Sequence, residues 1–454
     1  MKYFVITTLL LPILACGYFS DQSEPRREPT PVKLVRFNTP TSTATPTPDP
    51  RPPAPVTPTP LPTDTPTSTT TPVESQGDSL PTATLEPTSL PSTPTPAPAI
   101  AAPPTLPPSD LLTLQPTPDP QPLTPTQPHL GYGVQLAEAK NMELAVKGGF
   151  TWAKHDLNLH KDTNFTANAD NLLSDLLGKY GTKNVLLKLI VWNEGGLPDA
   201  PRTPDEVTTF ASNTAKVAEF IRNRYGGMYG TIAYEVWNEP NLNYEWESNP
   251  NPAEYVTLLR ATSDAIRQAD PDAWIISGAP SPGGDFDDLK FLEGMYANGA
   301  KGLVDAVGSH PYGGPWPYDR PNGTDEAGNG WPYFRKVEAQ RAIMEKYGDT
   351  ETQIWATEFS WLAGIPNCDF GEHTRWQVTP QQQADYLVAA YQYADQQWPW
   401  MGPMFVVYDF AISGRYDRCH PASGYSILRP DPNSPEIMSL AAQALFAMPK
   451  NSAW

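Results

Sequence analysis

Residues 185–192 read VLLKLIVW, a run in which a single lysine interrupts apolar side chains. A strand that is apolar on both faces is typical of a parallel sheet covered by helices, whereas a half-exposed strand alternates polar and apolar residues. Similar short runs recur through residues 129–454. The predicted strands are Tyr132–Leu136, Phe150–His155, Val185–Trp192, Ile232–Trp237, Trp274–Ala279, Ala306–His310, Gln353–Thr357 and Met404–Tyr408.

Helical segments separate these runs. Thr203-Pro204-Asp205-Glu206 has the pattern of a capping box with proline in the first turn, and similar starts occur at Asn251 and Thr379. Eight strands that alternate with helices predict an α/β fold, a (β/α)8 TIM barrel. A doubly wound open sheet is the alternative, although no glycine-rich phosphate loop follows the first strand.

Proline divides the chain into two parts. Of the 55 prolines in 454 residues, 31 lie between Asp21 and Leu130, whereas all 13 tryptophans follow residue 129. A segment so poor in apolar side chains cannot offset a backbone ordering cost of about 1–2 kcal/mol per residue. We therefore predict a disordered Pro/Thr-rich linker over residues 17–128 and one barrel domain over residues 129–454.

The first 16 residues have the pattern of an export signal. Lys2 precedes an apolar stretch from Tyr3 to Ala15, which is shorter than the roughly 20 residues that a transmembrane helix needs. The segment resembles a bacterial lipoprotein signal, with Ile13-Leu14-Ala15-Cys16 in the place of the lipobox. This resemblance implies lipidation of Cys16 and a cell-surface protein that meets the membrane only through its lipid anchor. An ordinary cleaved secretory signal is the alternative.

Cysteine, histidine and charge restrict the chemistry of the domain. Cys368 and Cys419 form an even pair in an exported domain, which favours a disulfide. The six histidines are scattered, so we expect no metal site, and we expect no other cofactor. Residues 129–454 carry 40 acidic and 25 basic side chains without a basic run, which argues against nucleic acid as a partner. Protein partners cannot be identified from the sequence.

Two carboxylates follow predicted strands. The fourth strand leads into Asn238-Glu239-Pro240-Asn241, and the seventh leads into Glu358-Phe359-Ser360-Trp361. The carboxyl ends of barrel strands meet at one face, so the two glutamates are expected close together. Cleavage of a glycosidic bond requires such a pair, one carboxyl protonated and the other ionised.

Residues 130–450 resemble a clan A retaining glycoside hydrolase, the (β/α)8 superfamily with cellulase-like and β-xylosidase-like members. The resemblance is carried by Trp237-Asn238-Glu239-Pro240, Trp355-Ala356-Thr357-Glu358-Phe359 and His310-Pro311-Tyr312. It implies that Glu239 is the acid/base, Glu358 the nucleophile and Asn238 the donor to the sugar 2-hydroxyl. It also implies that His310 lines the sugar site and that Tyr312 hydrogen-bonds the nucleophile.

Two positions depart from this family pattern. Many members have an arginine on the second strand, where this chain has Lys154, and most have a tryptophan platform for the sugar on the eighth, where this chain offers Tyr408 or Phe410. We expect Lys154 and Tyr408 to contact the sugar in these places. Aromatic rings stack on sugars, and of the rings on predicted loops we expect Trp192, Trp237 and Trp361 nearest the sugar. The remaining loop aromatics are Trp246, Trp316, Tyr318 and Trp331.

The expected activity is hydrolysis of β-glycosidic bonds in a neutral oligo- or polysaccharide by double displacement. Glu239 would stay protonated because the negative charge of Glu358 raises its pKa, and retention predicts carboxyl groups about 5–5.5 Å apart. The alternative is a surface lipoprotein that binds glycans on a glycosidase-like barrel without cleaving them.

Overall fold

The computed structural model describes residues 129–161, 163–321, 333–429 and 438–454. The predicted signal segment 1–16 with Cys16, the predicted linker 17–128 and Trp331 lie outside the described residues. Eight parallel strands form a closed barrel in chain order, which confirms the predicted (β/α)8 fold. The strands are β1 (Tyr132–Gln135), β2 (Trp152–Asn158), β3 (Asn184–Ile190), β4 (Ile232–Val236), β5 (Trp274–Ser277), β6 (Ala306–Ser309), β7 (Gln353–Phe359) and β8 (Met401–Val407).

The barrel closes where β1 pairs with β8, with Gly133 opposite Phe405. Glycine is required there because a Cβ atom on Gly133 would lie 2.4 Å from the Phe405 ring. β8 begins at Met401, three residues before the predicted start at Met404, because Gly402-Pro403 resembles a strand break in the sequence but lies within the strand. Gly402 is needed because its Cβ would meet the indole of Trp355 at 2.4 Å.

Helices cover the barrel, and the longest begin at the predicted caps. The Thr203 hydroxyl accepts the Glu206 N–H, and the Glu206 carboxylate accepts the Thr203 N–H. Thr379 and Gln382 repeat this capping box. The α-helices are α1 (Met142–Lys147), α2 (Phe165–Leu173), α3 (Pro204–Tyr225), α4 (Pro252–Ala269), α5 (Asp288–Ala297), α6 (Val337–Lys346), α7 (Pro380–Gln397), α8 (Pro421–Tyr425) and α9 (Leu440–Ala447). Shorter 3-10 or π turns are Ala139–Asn141, Ser174–Lys179, Phe334–Lys336 and Gly371–Trp376.

Tryptophan fills the amino end of the barrel interior. Trp152 packs edge-on against Trp355, with ring centroids 5.1 Å apart, and Trp274 stacks on Trp355 at 5.5 Å. Trp454 packs against all three of these rings, and its indole N–H donates to the His129 carbonyl. This cluster leaves the opposite end of the barrel for polar side chains. Within the described ranges, none of the helices combines the length and the apolar character that a bilayer span requires.

Candidate active site

The polar side chains predicted from the sequence gather at the carboxyl end of the barrel. Glu239 lies on the loop after β4, Glu358 is the penultimate residue of β7, and His310 and Tyr312 follow β6. Glu239 and Glu358 are fully buried. The strand ends therefore bring together, in one enclosed site, side chains that are far apart in the sequence.

An imidazole lies between the two carboxylates. His310 Nδ1 is hydrogen-bonded to Glu239 Oε1 at 2.8 Å, and His310 Nε2 lies 4.0 Å from Glu358 Oε1. On the other oxygen of Glu358, the Tyr312 hydroxyl donates a hydrogen bond of 3.0 Å. The structure thus places Tyr312 where the family resemblance implies it.

Two buried lysines surround Glu358. Lys154 Nζ lies 3.2 Å from Glu358 Oε1 and forms an ion pair of 2.8 Å with Glu235 Oε2. Lys188 Nζ lies 3.9 Å from the same oxygen of Glu358 and 3.1 Å from Asp156 Oδ1. Lys154, expected from the sequence at the sugar, is therefore placed as a charge partner of Glu358 and Glu235.

The lysines keep Glu358 ionised. Burial alone would raise the pKa of this carboxyl, but Lys154, His310 and Lys188 together outweigh burial and lower the pKa to about 2. Burial lowers the pKa of His310 to about 3, so this imidazole is neutral at neutral pH. The two ammonium groups are consequently the permanent positive charges that stabilise the Glu358 carboxylate.

Glu239 is shifted in the opposite direction. Burial raises the pKa of Glu239 well above its usual value, and the negative charges of Glu358 and Glu245 raise it further. The sequence-based explanation named the neighbouring charge, whereas the larger cause in the structure is the loss of water around the carboxyl. Burial and the surrounding charges therefore shift the pKa values of the two carboxyls in opposite directions, which favours the protonated form of Glu239 and the ionised form of Glu358.

Asn238 is held at both ends of its amide. Its Nδ2 donates to Glu245 Oε1 at 2.9 Å, and its Oδ1 accepts from Lys188 Nζ at 3.4 Å. The flanking residues Trp237 and Glu239 have φ of +73° and +29°. Non-glycine residues in this region are uncommon and concentrate at functional sites, where the surrounding structure maintains the strain.

The four aromatic rings expected at the sugar, those of Trp192, Trp237, Trp361 and Tyr408, belong to the hydrophobic core. Trp237 has a left-handed backbone, and its ring packs against Phe210 of α3 and against Trp246. Trp361 packs against Phe334, and its N–H donates to the Trp316 carbonyl. The Tyr408 ring packs against Phe150, and the Trp246 ring packs against Tyr255. The structure thus places the rings of Trp237, Trp361 and Tyr408 against other aromatic side chains of the core.

The remaining predicted aromatics are spread over the same end of the barrel. Trp192 is buried beside β3 and forms an isolated bridge with Pro198. Arg320 lies over the Trp316 ring at 3.9 Å, and Tyr318 packs against Tyr393.

A disulfide joins two loops at this end of the barrel. The predicted bond between Cys368, after β7, and Cys419, after β8, is present and confirms that prediction. The two loops share a small hydrophobic cluster that contains Phe410 and Tyr425. Tyr425 contacts the ring of Tyr312 with centroids 4.9 Å apart, so the bridged loops support the side chain that donates to Glu358.

Charged residues inside the strands were missed by the sequence reading. Asp156, Lys188 and Glu235 lie side by side across β2, β3 and β4 in the observed register. The available signal was a lone charge within an apolar run, which holds for Lys188 in VLLKLIVW and for Glu235 in the fourth strand, whereas Asp156 follows the end of the predicted second strand. Glu245 had no comparable signal because it lies on a loop. Within the described ranges, no group of three or more His, Cys, Asp or Glu side chains could hold a metal ion.

Comparison with known proteins gives one family. Residues 158–363 match the family model Cellulase (glycosyl hydrolase family 5). The matched segment begins at the last residue of β2, continues past β7 and contains Glu239 and Glu358. No curated protein matches the chain.

Several solved structures are similar at low identity. One is a family 39 glycoside hydrolase from the gut symbiont Bacteroides cellulosilyticus WH2, 19% identical with a TM-score of 0.49, where the match covers 71% of this chain and 63% of that chain. A monomeric beta-xylosidase from Caulobacter crescentus CB15 is 18% identical with a TM-score of 0.48, over 72% of this chain and 68% of that one. A fungal β-1,4-galactanase is 14% identical with a TM-score of 0.48, and the match covers 70% of this chain and 99% of that chain. This chain thus spans less than two thirds of the first protein.

The family-model match lies on a closed (β/α)8 barrel and contains both strand-end glutamates. Together these observations agree with the resemblance to clan A glycoside hydrolases found in the sequence.

Proposed function

We propose that the barrel is a retaining glycoside hydrolase that cleaves β-glycosidic bonds of a neutral oligo- or polysaccharide. The observation that carries this proposal is the pair of fully buried carboxyls at one end of the barrel, with His310 between them and with pKa values shifted in opposite directions. Burial and nearby negative charge raise the pKa of Glu239, while two lysines help to lower that of Glu358 to about 2. Double displacement needs this combination of a proton donor and an anionic nucleophile.

In the first step, the Glu358 carboxylate attacks the anomeric carbon and the C–O bond to the leaving group breaks. Glu239 transfers its proton to the departing oxygen, so the leaving group departs as an alcohol. Tyr312, which donates to Glu358 Oε2, orients the attacking carboxylate. Asn238 would donate to the sugar 2-hydroxyl, the role that the family resemblance implies.

In the second step, water displaces Glu358 from the glycosyl–enzyme ester. Ester formation has removed the negative charge of Glu358, so the part of the raised Glu239 pKa that came from this charge disappears. Glu239 then accepts the proton of the attacking water, and the two inversions give net retention.

The pairing of the buried lysines with carboxylates of the protein favours a neutral substrate. Lys154 is paired with Glu235 and Glu358, and Lys188 with Asp156. These cations stabilise protein carboxylates. A glycan-binding barrel without catalysis would need no such pair of differently ionised carboxyls, so catalysis is the better explanation.

The test is release of nitrophenol from a panel of aryl β-glycosides by the full chain. We expect activity on at least one sugar, a loss of about 10³-fold or more for Glu358→Gln, and a first-formed product of unchanged anomeric configuration by NMR. Glu239→Gln should lose most activity on poor leaving groups and least on nitrophenolates, which need no proton. A wild-type chain that releases nitrophenol from none of the panel would refute the proposal, and an inverted product would refute retention.

We also propose that the chain is exported and attached to the cell surface through Cys16. The apolar stretch before Cys16 and the Pro/Thr-rich segment after it support this arrangement, with the barrel held away from the membrane. Metabolic labelling with an alkynyl fatty acid should mark the wild type but not Cys16→Ala. Label that persists in Cys16→Ala would refute lipidation at this residue.

A further inference from the structure

We propose that Glu245 is a positioning residue for the glycosidase reaction: it fixes the Asn238 amide so that its second N–H faces the sugar 2-hydroxyl. This inference rests on the proposed function and adds a residue that neither the sequence nor the family pattern identified. Glu245 follows Asn238 by seven residues on the loop after β4, and both side chains are fully buried.

The two partners of Asn238 determine which way its amide points. Lys188 can only donate, so the atom that it contacts at 3.4 Å must be the carbonyl oxygen. Glu245 Oε1 accepts a hydrogen bond of 2.9 Å, so the atom facing it must be the amide nitrogen. A rotation of the amide by 180° would turn the Nδ2 donor towards the Lys188 ammonium group, which can only donate. Only one of the two Nδ2 protons is used by Glu245, and the other remains for a ligand.

The loop that carries Glu245 is braced from both sides. The Trp237 indole N–H donates to the Glu245 carbonyl at 3.0 Å. Arg202 donates to the carbonyls of Trp246 and Ser248, and it pairs with Glu254 of α4. The buried ring of Trp237 thus secures the Glu245 backbone. This bracing keeps the carboxyl close to Asn238 before any substrate binds.

The contact with Asn238 is independent of the charge on Glu245. Burial raises the pKa of Glu245 to about 8, so most of the molecules carry a proton there at neutral pH. The buried Oε2 of Glu245 has no hydrogen-bond partner among the residues that the structure describes, whereas Oε1 still accepts from Asn238 when Oε2 is protonated. The arrangement therefore needs an oxygen acceptor at this position and not a negative charge.

The experiment compares an aryl β-glycoside that the wild type cleaves with its 2-deoxy counterpart. Glu245→Leu should lower kcat/KM on the parent glycoside by about 10- to 100-fold, the usual effect of losing an outer hydrogen-bond partner. On the 2-deoxy glycoside the loss should fall below about 3-fold, because Asn238 has no hydroxyl to hold. Asn238→Ala should show the same dependence on the 2-hydroxyl, and the double variant should lose no more than the worse single variant.

Two further variants separate positioning from stability. Glu245→Gln retains an acceptor oxygen and should keep activity within about 3-fold of wild type. Asp288→Asn disrupts another buried ion pair, that of α5 with Lys336, and should lower the melting temperature without changing the ratio between the two substrates. A loss in Glu245→Gln as large as in Glu245→Leu would contradict the inference.

The outcomes also distinguish this inference from the proposed function. An active wild type in which Glu245→Leu loses the same factor on both glycosides would overturn the positioning role alone. A wild type without activity on either glycoside or on the wider panel would overturn both. If Glu245→Leu fails to fold, the comparison rests on Glu245→Gln and Asn238→Ala. The loss of kcat/KM must then depend on the sugar 2-hydroxyl in Asn238→Ala and not in Glu245→Gln.

Discussion

Lys154 and Lys188 stand on adjacent strands, and their ammonium groups contact the same oxygen of Glu358. Taking two cations out of water is costly, and they are retained here beside three carboxylates, those of Asp156, Glu235 and Glu358. The benefit is a Glu358 carboxylate that remains ionised although it is fully buried. The lysine that departs from the family's arginine is therefore part of the charge balance of the site.

Removing one of these charges should change the acid limb of the pH profile. In Lys154→Met, Lys188 is the main positive charge left beside the buried Glu358, so the pKa of Glu358 rises from about 2. Activity requires the ionised carboxylate and is lost as the pH falls through this pKa, so the acid limb of kcat/KM should move upward by about 1–3 pH units.

Two variants serve as controls for this shift. Lys154→Arg keeps the charge and should leave the acid limb near its original position. Lys336→Met breaks the buried pair with Asp288 and should cost stability without moving the limb. An unchanged acid limb in an active Lys154→Met enzyme would show that Lys154 does not set the pKa of Glu358.

At the residue scale, the sequence predicted the two carboxylates with His310, Tyr312 and Lys154, and it missed Lys188 and the acidic residues that pair with the lysines. Glu239 and Glu358 were identifiable because each follows an apolar run, and strand ends converge in a barrel. Lys188 and Glu235 were counted as interruptions of apolar strands. Their pairing depends on strand register, which sets Lys188 between Asp156 and Glu235 and which no single run of sequence reveals.

The loops after β7 and β8 act together as one element. The bond between Cys368 and Cys419 closes a separation of 51 residues, which gives about 4 kcal/mol of stabilisation in the chain-entropy description. The double variant Cys368→Ser/Cys419→Ser should therefore melt roughly 4–10 °C lower than the wild type by scanning fluorimetry.

The same variant should affect catalysis through Tyr425 and Tyr312. Loosened loops would no longer hold the Tyr425 ring against Tyr312, so kcat/KM should fall by several-fold while the fold persists. A reducing agent should lower the melting temperature of the wild type and leave that of the double variant unchanged. A double variant with the same melting temperature as the wild type would contradict a stabilising role for the disulfide.

At the element scale, the strands could be predicted from the sequence, but the direction of the side chains that follow each strand could not. The apolar runs located all eight strands, and the capping boxes located the starts of α3 and α7. Trp237 was expected to face the sugar because it lies at a strand exit. Its left-handed backbone, which the sequence does not indicate, accompanies a ring packed against Phe210 of α3.

For the molecule as a whole, the tryptophan cluster and the carboxylates occupy opposite ends of one barrel. Trp454 contributes to the cluster by packing against Trp152, Trp274 and Trp355. Trp454→Ala should cost about 2–4 kcal/mol of unfolding free energy, measured by denaturant titration, because it removes most of a large ring from this packing. Activity well below the melting temperature should stay within about 2-fold of wild type.

Trp454→Phe is the matched control, since it keeps an aromatic ring and loses only part of the contact area and the hydrogen bond to His129. Its loss of stability should be smaller than that of the alanine variant. Equal unfolding free energies for the wild type and Trp454→Ala would show that the ring adds nothing to the barrel. A selective loss of activity in the folded variant would mean that the two ends are coupled.

The pairing of β1 with β8 has a consequence for how the molecule is made. Synthesis proceeds from β1 towards β8, so β1 has only β2 as a neighbour until nearly all of the domain has been produced. Pairing between strands so distant in the chain is slow, and an unpaired edge is open to association with other chains in the meantime. Enzymatic activity should consequently appear in one late event, when the last strand arrives and turns an open sheet into a ring.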